Sequence, residues 1–234
     1  MNIRMKFKKH GCMKFIGHLD IMRYFQKAIR RAEIDIAYTE GFSPHMIMSF
    51  AAPLGVGLTS EGEYVDLQVH TCESSKAAVE ALNRVMVDGM EVVSFKRLPE
   101  TVKNAMASVA AADYFVKFRE GYAPEEWEQS FAAFLEKEEM FIVKKTKRSE
   151  ALVDLKPMLY QCELRNGGIF MQVACGSVNN LKPELVMEAY AKECGIELAA
   201  FALEIARLEV YADLGDEASR KLVPLEELGE EIEP

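Results

Sequence analysis

Residues 3–9 (IRMKFKK) alternate apolar Ile3, Met5 and Phe7 with basic Arg4, Lys6 and Lys8, and residues 18–33 (HLDIMRYFQKAIRRAE) then switch to helical spacing. A period of 2 followed by a period of 3.6 constrains the chain to a strand and then an amphipathic helix. IDIAYT (34–39), the loop EGFSPH (40–45) and MIMSFAAPL (46–54) come next, followed by the Gly-rich GVGLTSEG (55–62) and the alternating EYVDLQVH (63–70). SSKAAVEALNRVMVD (74–88) reads as a helix opened by Ser74 or Ser75 and stopped before Gly89, and EVVSFKRL (91–98) as a closing strand. Strand, helix, strand, strand, helix, strand is the order of a split βαβ, ferredoxin-like unit.

The same succession returns after Pro99 and the Ala-rich AMASVAAA (105–112), a run that marks a boundary or a short helix. YFVKF (114–118) reads as a strand and PEEWEQSFAAFLEKEE (124–139) as a helix with Pro124 in its first turn. FIVKKT (141–146) and LYQCEL (159–164) read as further strands of that half. GIFMQVAC (168–175) extends the sheet as a hairpin through Asn166-Gly167-Gly168. LKPELVMEAYAKEC (181–194) is a helix and ALEIARLEVYA (202–212) a last strand. The expected fold is α+β: two ferredoxin-like (split βαβ) halves in tandem, over 1–99 and 113–212, with antiparallel sheets and helices packed on one face. An acidic C-terminal tail follows over 213–234.

Of the 234 residues, 28% are charged, and no apolar run approaches the roughly 18 residues of a membrane span. The start, MNIRMKFKKHG, has basic residues with no apolar segment behind them, so it does not read as a secretory signal, and the expected location is cytoplasmic. The five cysteines (Cys12, Cys72, Cys162, Cys175, Cys194) are odd in number and never in C-x-x-C spacing. This points to reduced thiols and to no metal or cofactor held by cysteine.

The net charge of −9 is unevenly spread. Residues 1–50 hold nine basic and four acidic side chains, a balance of +5 that leaves −14 for the rest, and 213–234 alone holds eight acidic residues against Arg220 and Lys221. That tail reads as a solvated extension. On the helix of 18–33, Ile21, Met22, Phe25, Ile29 and Ala32 fall on one side and Arg23, Lys27, Arg30 and Arg31 on the other, with no carboxylate at i,i+4 to neutralise the four cations. Such a stripe is either solvated or set against a polyanion. Lys144, Lys145, Lys147 and Arg148, with Lys156 beyond them, form a second cationic patch. It serves an RNA or protein contact, or guards a strand edge.

P-loop, G-x-G-x-x-G, H-E-x-x-H and G-x-S-x-G signatures are all missing. Polar residues cluster instead at Gly17-His18-Leu19-Asp20, at Gly41-Phe42-Ser43-Pro44-His45 and at Thr59-Ser60-Glu61-Gly62-Glu63. If these loops converge, His18, Asp20, His45, Glu61 and Glu63 form a histidine–carboxylate site for acid–base chemistry or a divalent metal. The alternatives are an anion-binding loop set, or a structural role in which Asp20 complements the helix dipole, His18 caps the helix and the glutamates are solvated. His10 and His70 stand alone.

The runs KFIGHLDIMRYFQKAIRRA (14–32), YTEGFSPH (38–45) and SFAAPLGVGLTSEGEYVD (49–66), with VDLKP (153–157) further on, resemble the radical-SAM-linked family of unknown function. Its domains occur free-standing or as C-terminal extensions of cobalamin-type radical SAM proteins. The family usually has Ser where this chain has Gly17, and often Asn at Ser43, so both polar groups are reduced here. No C-x-x-x-C-x-x-C cluster motif is present, so radical chemistry would belong to a partner. The resemblance implies a radical SAM protein as partner and an association with RNA processing and ribosome biogenesis.

Together these readings lead to an accessory binding module that works with a radical SAM protein. It would bind RNA or that partner through Arg23, Lys27, Arg30 and Arg31, with Ser43, Glu61 and Glu63 on the adjoining loops. The competing reading is an RNA-processing or RNA-modifying enzyme that uses His18, Asp20 and His45. A third places the basic face on an acidic protein surface.

Overall fold

The computed structural model describes residues 1–145, 150–216 and 219–234. It is a mixed α+β protein with mostly antiparallel strands and, among the described residues, five helices. The chain divides into two compact units, 1–111 with 207–234, and 112–206. No helix among the described residues is long and apolar enough to cross a membrane.

The first unit begins with β1 (Asn2–Lys9), α1 (His18–Arg31), β2 (Met48–Phe50), β3 (Thr59–Gln68), α2 (Ser75–Asn83) and β4 (Met90–Arg97). β1 lies between β4 and β3, antiparallel to both, with Met5 opposite Val65 on one side and Phe95 on the other. The far edge of β3 receives β2, antiparallel, and the 207–213 stretch of a later strand. Ile3, Met5 and Phe7 form the buried face that their alternation predicts, and Ile21, Phe25 and Ile29 of α1 close over it. The Phe7 and Phe25 rings meet at 4.6 Å, and Phe50 stands edge-on to both.

α2 ends at Asn83, five residues before the predicted stop. The Asn83 amide donates to the Val92 carbonyl and accepts from the Val92 N–H, both at 2.8 Å, which draws the helix end onto β4. Gly89 still punctuates the segment: its φ is +84°, and a Cβ there would stand 2.6 Å from the His10 carbonyl oxygen. Only glycine suits both conditions.

The basic face of β1 is covered. Arg4 is fully buried, and its guanidinium forks onto Asp66 at 2.8 and 3.0 Å while also donating to the Leu225 and Lys103 carbonyls. Lys6 Nζ lies 2.6 Å from both Glu209 and Glu226, and Lys8 pairs with Glu61 and Glu91. Much of this cover comes from the C-terminal segment, which is no free extension. β10 (Leu203–Asp213) pairs antiparallel with β11 (Leu222–Pro224), Leu225 is fully buried, and the Ile232 N–H donates to Ser75 Oγ at 2.8 Å. A short helix, α3 (Ala105–Ser108), leads from this unit into β5 (Val109–Phe118).

The second unit takes up the chain within β5 and adds α4 (Trp127–Leu135), β6 (Phe141–Lys145), β7 (Glu150–Asp154), β8 (Leu159–Arg165), β9 (Gly168–Ala174), α5 (Pro183–Glu193) and the first residues of β10. Its sheet runs β10-β5-β9-β8. Asn166 and Gly167 turn the β8–β9 hairpin with φ of +51° and +68°, the paired positive values of a type I′ turn. Phe131, Phe134 and Tyr190 pack ring on ring between α4 and α5.

The strand at 141–145 departs from the expected place in the larger sheet. β6 pairs with β7 in a separate two-stranded ribbon and is not a strand of the larger sheet. Ile142 is buried while Phe141, Val143 and its cross-strand partner Leu152 stay exposed, so the ribbon buries one face and leaves apolar side chains on the other. The predicted basic patch has its side chains from 144 to 148 outside the described residues. Lys156 is spent locally: its ammonium donates to the Leu135 and Lys137 carbonyls at the end of α4.

Candidate functional site

α1 carries the sequence's cationic stripe into three dimensions. Its inner face is locked into the core, so the outer face must stay exposed, and Arg23, Lys27, Arg30 and Arg31 all do. Arg23 is partly neutralised by Asp20 at 3.1 Å, at i,i+3 rather than i,i+4 spacing. Lys27, Arg30 and Arg31 make no ion pair among the described residues. Arg31 donates to the Val85 carbonyl at 3.4 Å, next to exposed Arg84, which sequence reasoning had not assigned to this face. From Arg23 to Arg31 the stripe spans about 12 Å of helix.

Seven of the nine basic residues of the first fifty therefore fall into two classes. Arg4, Lys6 and Lys8 answer the protein's own carboxylates, as Arg23 does in part, whereas Lys27, Arg30 and Arg31 face solvent without a carboxylate.

The three residues proposed for acid–base work have separate partners. His18, the first residue of α1, sets its ring edge-on to Phe50 at 5.1 Å. Asp20 faces outward to Arg23. His45 folds onto its own loop: its Nδ1 lies 3.1 Å from Thr39 Oγ1 and 3.4 Å from the Ser43 carbonyl, and its N–H donates to the same threonine. Ser43 is exposed on that loop, where Gly41 has the left-handed φ of +108°. Glu61 faces His10 Nε2 at 3.1 Å and Lys8 at 3.7 Å, so His10 has a carboxylate partner. Among the described residues, no three His, Cys, Asp or Glu side chains gather closely enough to hold a metal ion.

Glu63 is held differently. It is buried, and it takes Arg207 in a two-pronged ion pair, with Nε at 2.8 Å; Arg207 also donates to the Ala52 carbonyl at 2.6 Å. Lys9 is buried beside them, and burial lowers its pKa, with Arg207 adding to the effect and Glu63 opposing it. Lys9, Glu63 and His18 line one small cavity with Phe7, Phe50 and Leu54. Sequence reasoning passed over Lys9 and Arg207 as site residues. For Lys9 the signal was available, since it continues the Ile3, Met5, Phe7 phase and so puts a lysine on the buried face. Nothing local marks Arg207, whose partners include Glu63 and Ala52, both far away in the sequence.

No curated protein matches the chain. A chain of the solved structure titled "Crystal Structure of a Cbf5-Nop10-Gar1 Complex" is similar at a TM-score of 0.45 and 11% identity. The similarity covers 89% of this chain and 48% of that one, so this chain spans about half the length of the other. Residues 2–183 match the family described as "Uncharacterized protein conserved in bacteria (DUF2344)", and the chain belongs to that family.

Proposed function

We propose that this protein is an accessory binding module that holds RNA on the outer face of α1 while a radical SAM partner supplies the chemistry. The observation that carries the reading is the contrast between the exposed and the paired cations: the protein's own carboxylates take up Arg4, Lys6 and Lys8 of β1 and leave Lys27, Arg30 and Arg31 of α1 free of them. Three cations within two helical turns favour a partner with closely spaced negative charges, as a phosphate backbone has. Arg84 beside them widens the footprint. The resemblance to radical-SAM-linked proteins supports the partner, and the separate settings of His18, Asp20 and His45 favour binding over acid–base catalysis.

The strand orders support a pair of ferredoxin-like halves as the scaffold. β4-β1-β3 with β2 also paired to β3 in the first unit, and β10-β5-β9-β8 in the second, agree with a split βαβ plan in which the β6–β7 ribbon is an insertion. Retention of RNA from cell lysate, read with and without ribonuclease, tests the function. Wild-type protein should retain RNA that a Lys27→Ala, Arg30→Ala, Arg31→Ala variant does not. Retention of no nucleic acid by the wild type, or of equal amounts by both, contradicts the reading.

A further inference from the structure

Lys9 is 3% exposed, and its ammonium makes no hydrogen bond or ion pair among the described residues. The nearby carboxylate, Glu63, already has both oxygens on Arg207. Lys9 is thus buried beside a carboxylate that another cation already occupies. An excess positive charge away from water costs several kcal/mol unless a counter-charge meets it or the group gives up its proton.

The cavity that Lys9 lines also receives the start of α1. This fourteen-residue helix has Gly17 as its N-cap, so no side chain accepts from its first amides. The helix dipole adds partial positive charge at that end. His18 is turned toward the cavity, its ring held edge-on to Phe50, and its nitrogens have no hydrogen-bond partner among the described residues. The ammonium and the free amides favour negative charge and one His18 ring nitrogen can donate to it, while the other walls are Glu63, already held by Arg207, and six apolar residues that include Phe7, Phe50 and Leu54. A divalent cation is disfavoured on the same grounds.

We propose that Lys9, His18 and the uncapped start of α1 form a receptor for the terminal oxyanion, phosphate or carboxylate, of a small ligand whose apolar part rests on Phe50 and Leu54. The cavity, open to the surface and about 20 Å³ in volume, admits a single water-sized group, so the oxyanion tip enters and the remainder stays at the mouth. The site lies at the beginning of α1, away from the Lys27–Arg31 end, and it does not depend on RNA binding there.

Calorimetric titration with phenyl phosphate and with benzoate tests the site, with inorganic phosphate and acetate as probes lacking the ring. Saturable binding of phenyl phosphate or benzoate is expected, and the tighter of the two identifies the oxyanion. Inorganic phosphate and acetate should bind more weakly than their ring-bearing counterparts. Lys9→Met should weaken binding about tenfold or more, the scale of one charge-assisted hydrogen bond. Its melting temperature should be no lower than that of wild type, since the substitution removes an uncompensated buried charge. Leu54→Trp, which keeps Lys9 and obstructs the mouth, should weaken binding as well, whereas Arg30→Ala with Arg31→Ala should leave it unchanged. Absence of binding by both ring-bearing probes at millimolar concentration overturns the site. So does equal affinity in Lys9→Met, or in a folded Leu54→Trp.

Discussion

Buried charge in the first unit takes two forms, and each makes its own prediction about single residues. Arg4 with Asp66 is compensated: the fork is complete, and the carboxylate also accepts from the Ala105 N–H at 2.6 Å. Removing one side strands the other, so Asp66→Ala should cost roughly 3–5 kcal/mol of unfolding free energy in urea titrations. Lys9 is uncompensated, and its pKa is lowered from 10.5 by burial. Below its folded pKa the lysine is charged in both states and the full penalty applies. Between that value and 10.5 the unfolded chain binds more protons, so stability rises with pH. Glu63 and Arg207 face Lys9, and His18 shares its cavity; the comparison with Lys9→Met cancels their own titration to first order. The stability advantage of Lys9→Met over wild type should therefore shrink as pH climbs toward 10.5, and an advantage independent of pH would refute the account of Lys9.

At the scale of elements, the acidic C-terminal segment behaves as a strap over β1. Glu226 is drawn in two directions: burial raises its pKa, but the hydrogen bond and charge of Lys6 outweigh this and hold the carboxyl below 4.5. A carboxylate with a depressed pKa contributes stability above its unfolded value and loses it as pH falls through the folded one. Acidification below 4.5 should therefore loosen the strap, with amide exchange over 222–232 rising before that of β3. Simultaneous exchange of the two segments contradicts this order. The turn after α2 is a second element with a strict requirement. Gly89→Ala combines a left-handed φ with a clash against the His10 carbonyl oxygen, and it should lower the melting temperature more than Gly57→Ala, where φ is +93° but nothing lies within 4 Å.

For the whole molecule, net charge is a poor guide to binding, because most of the cations on β1 are internal counterions. The alternation of Ile3, Met5 and Phe7, the two faces of α1 and the Asn166-Gly167 turn were legible in the sequence, since period and turn chemistry act over a few residues. What sequence could not supply are pairings such as Lys6 with Glu226 or Arg4 with the Leu225 carbonyl, both across more than two hundred residues. Those long-range contacts decide which lysines and arginines stay free. They also turned the supposed solvated tail into part of the first unit, while the β6–β7 ribbon escaped because its short strands pair only with each other. The central claim is that Lys27, Arg30 and Arg31 contact phosphates. It is tested most directly by the slope of log affinity against log salt for a single-stranded RNA and the purified protein, in wild type and in the variant with all three changed to alanine. Each lost phosphate contact removes about 0.7 from the slope. The account expects the variant to bind more weakly with a slope flatter by about 2; equal affinity and equal slope would contradict it.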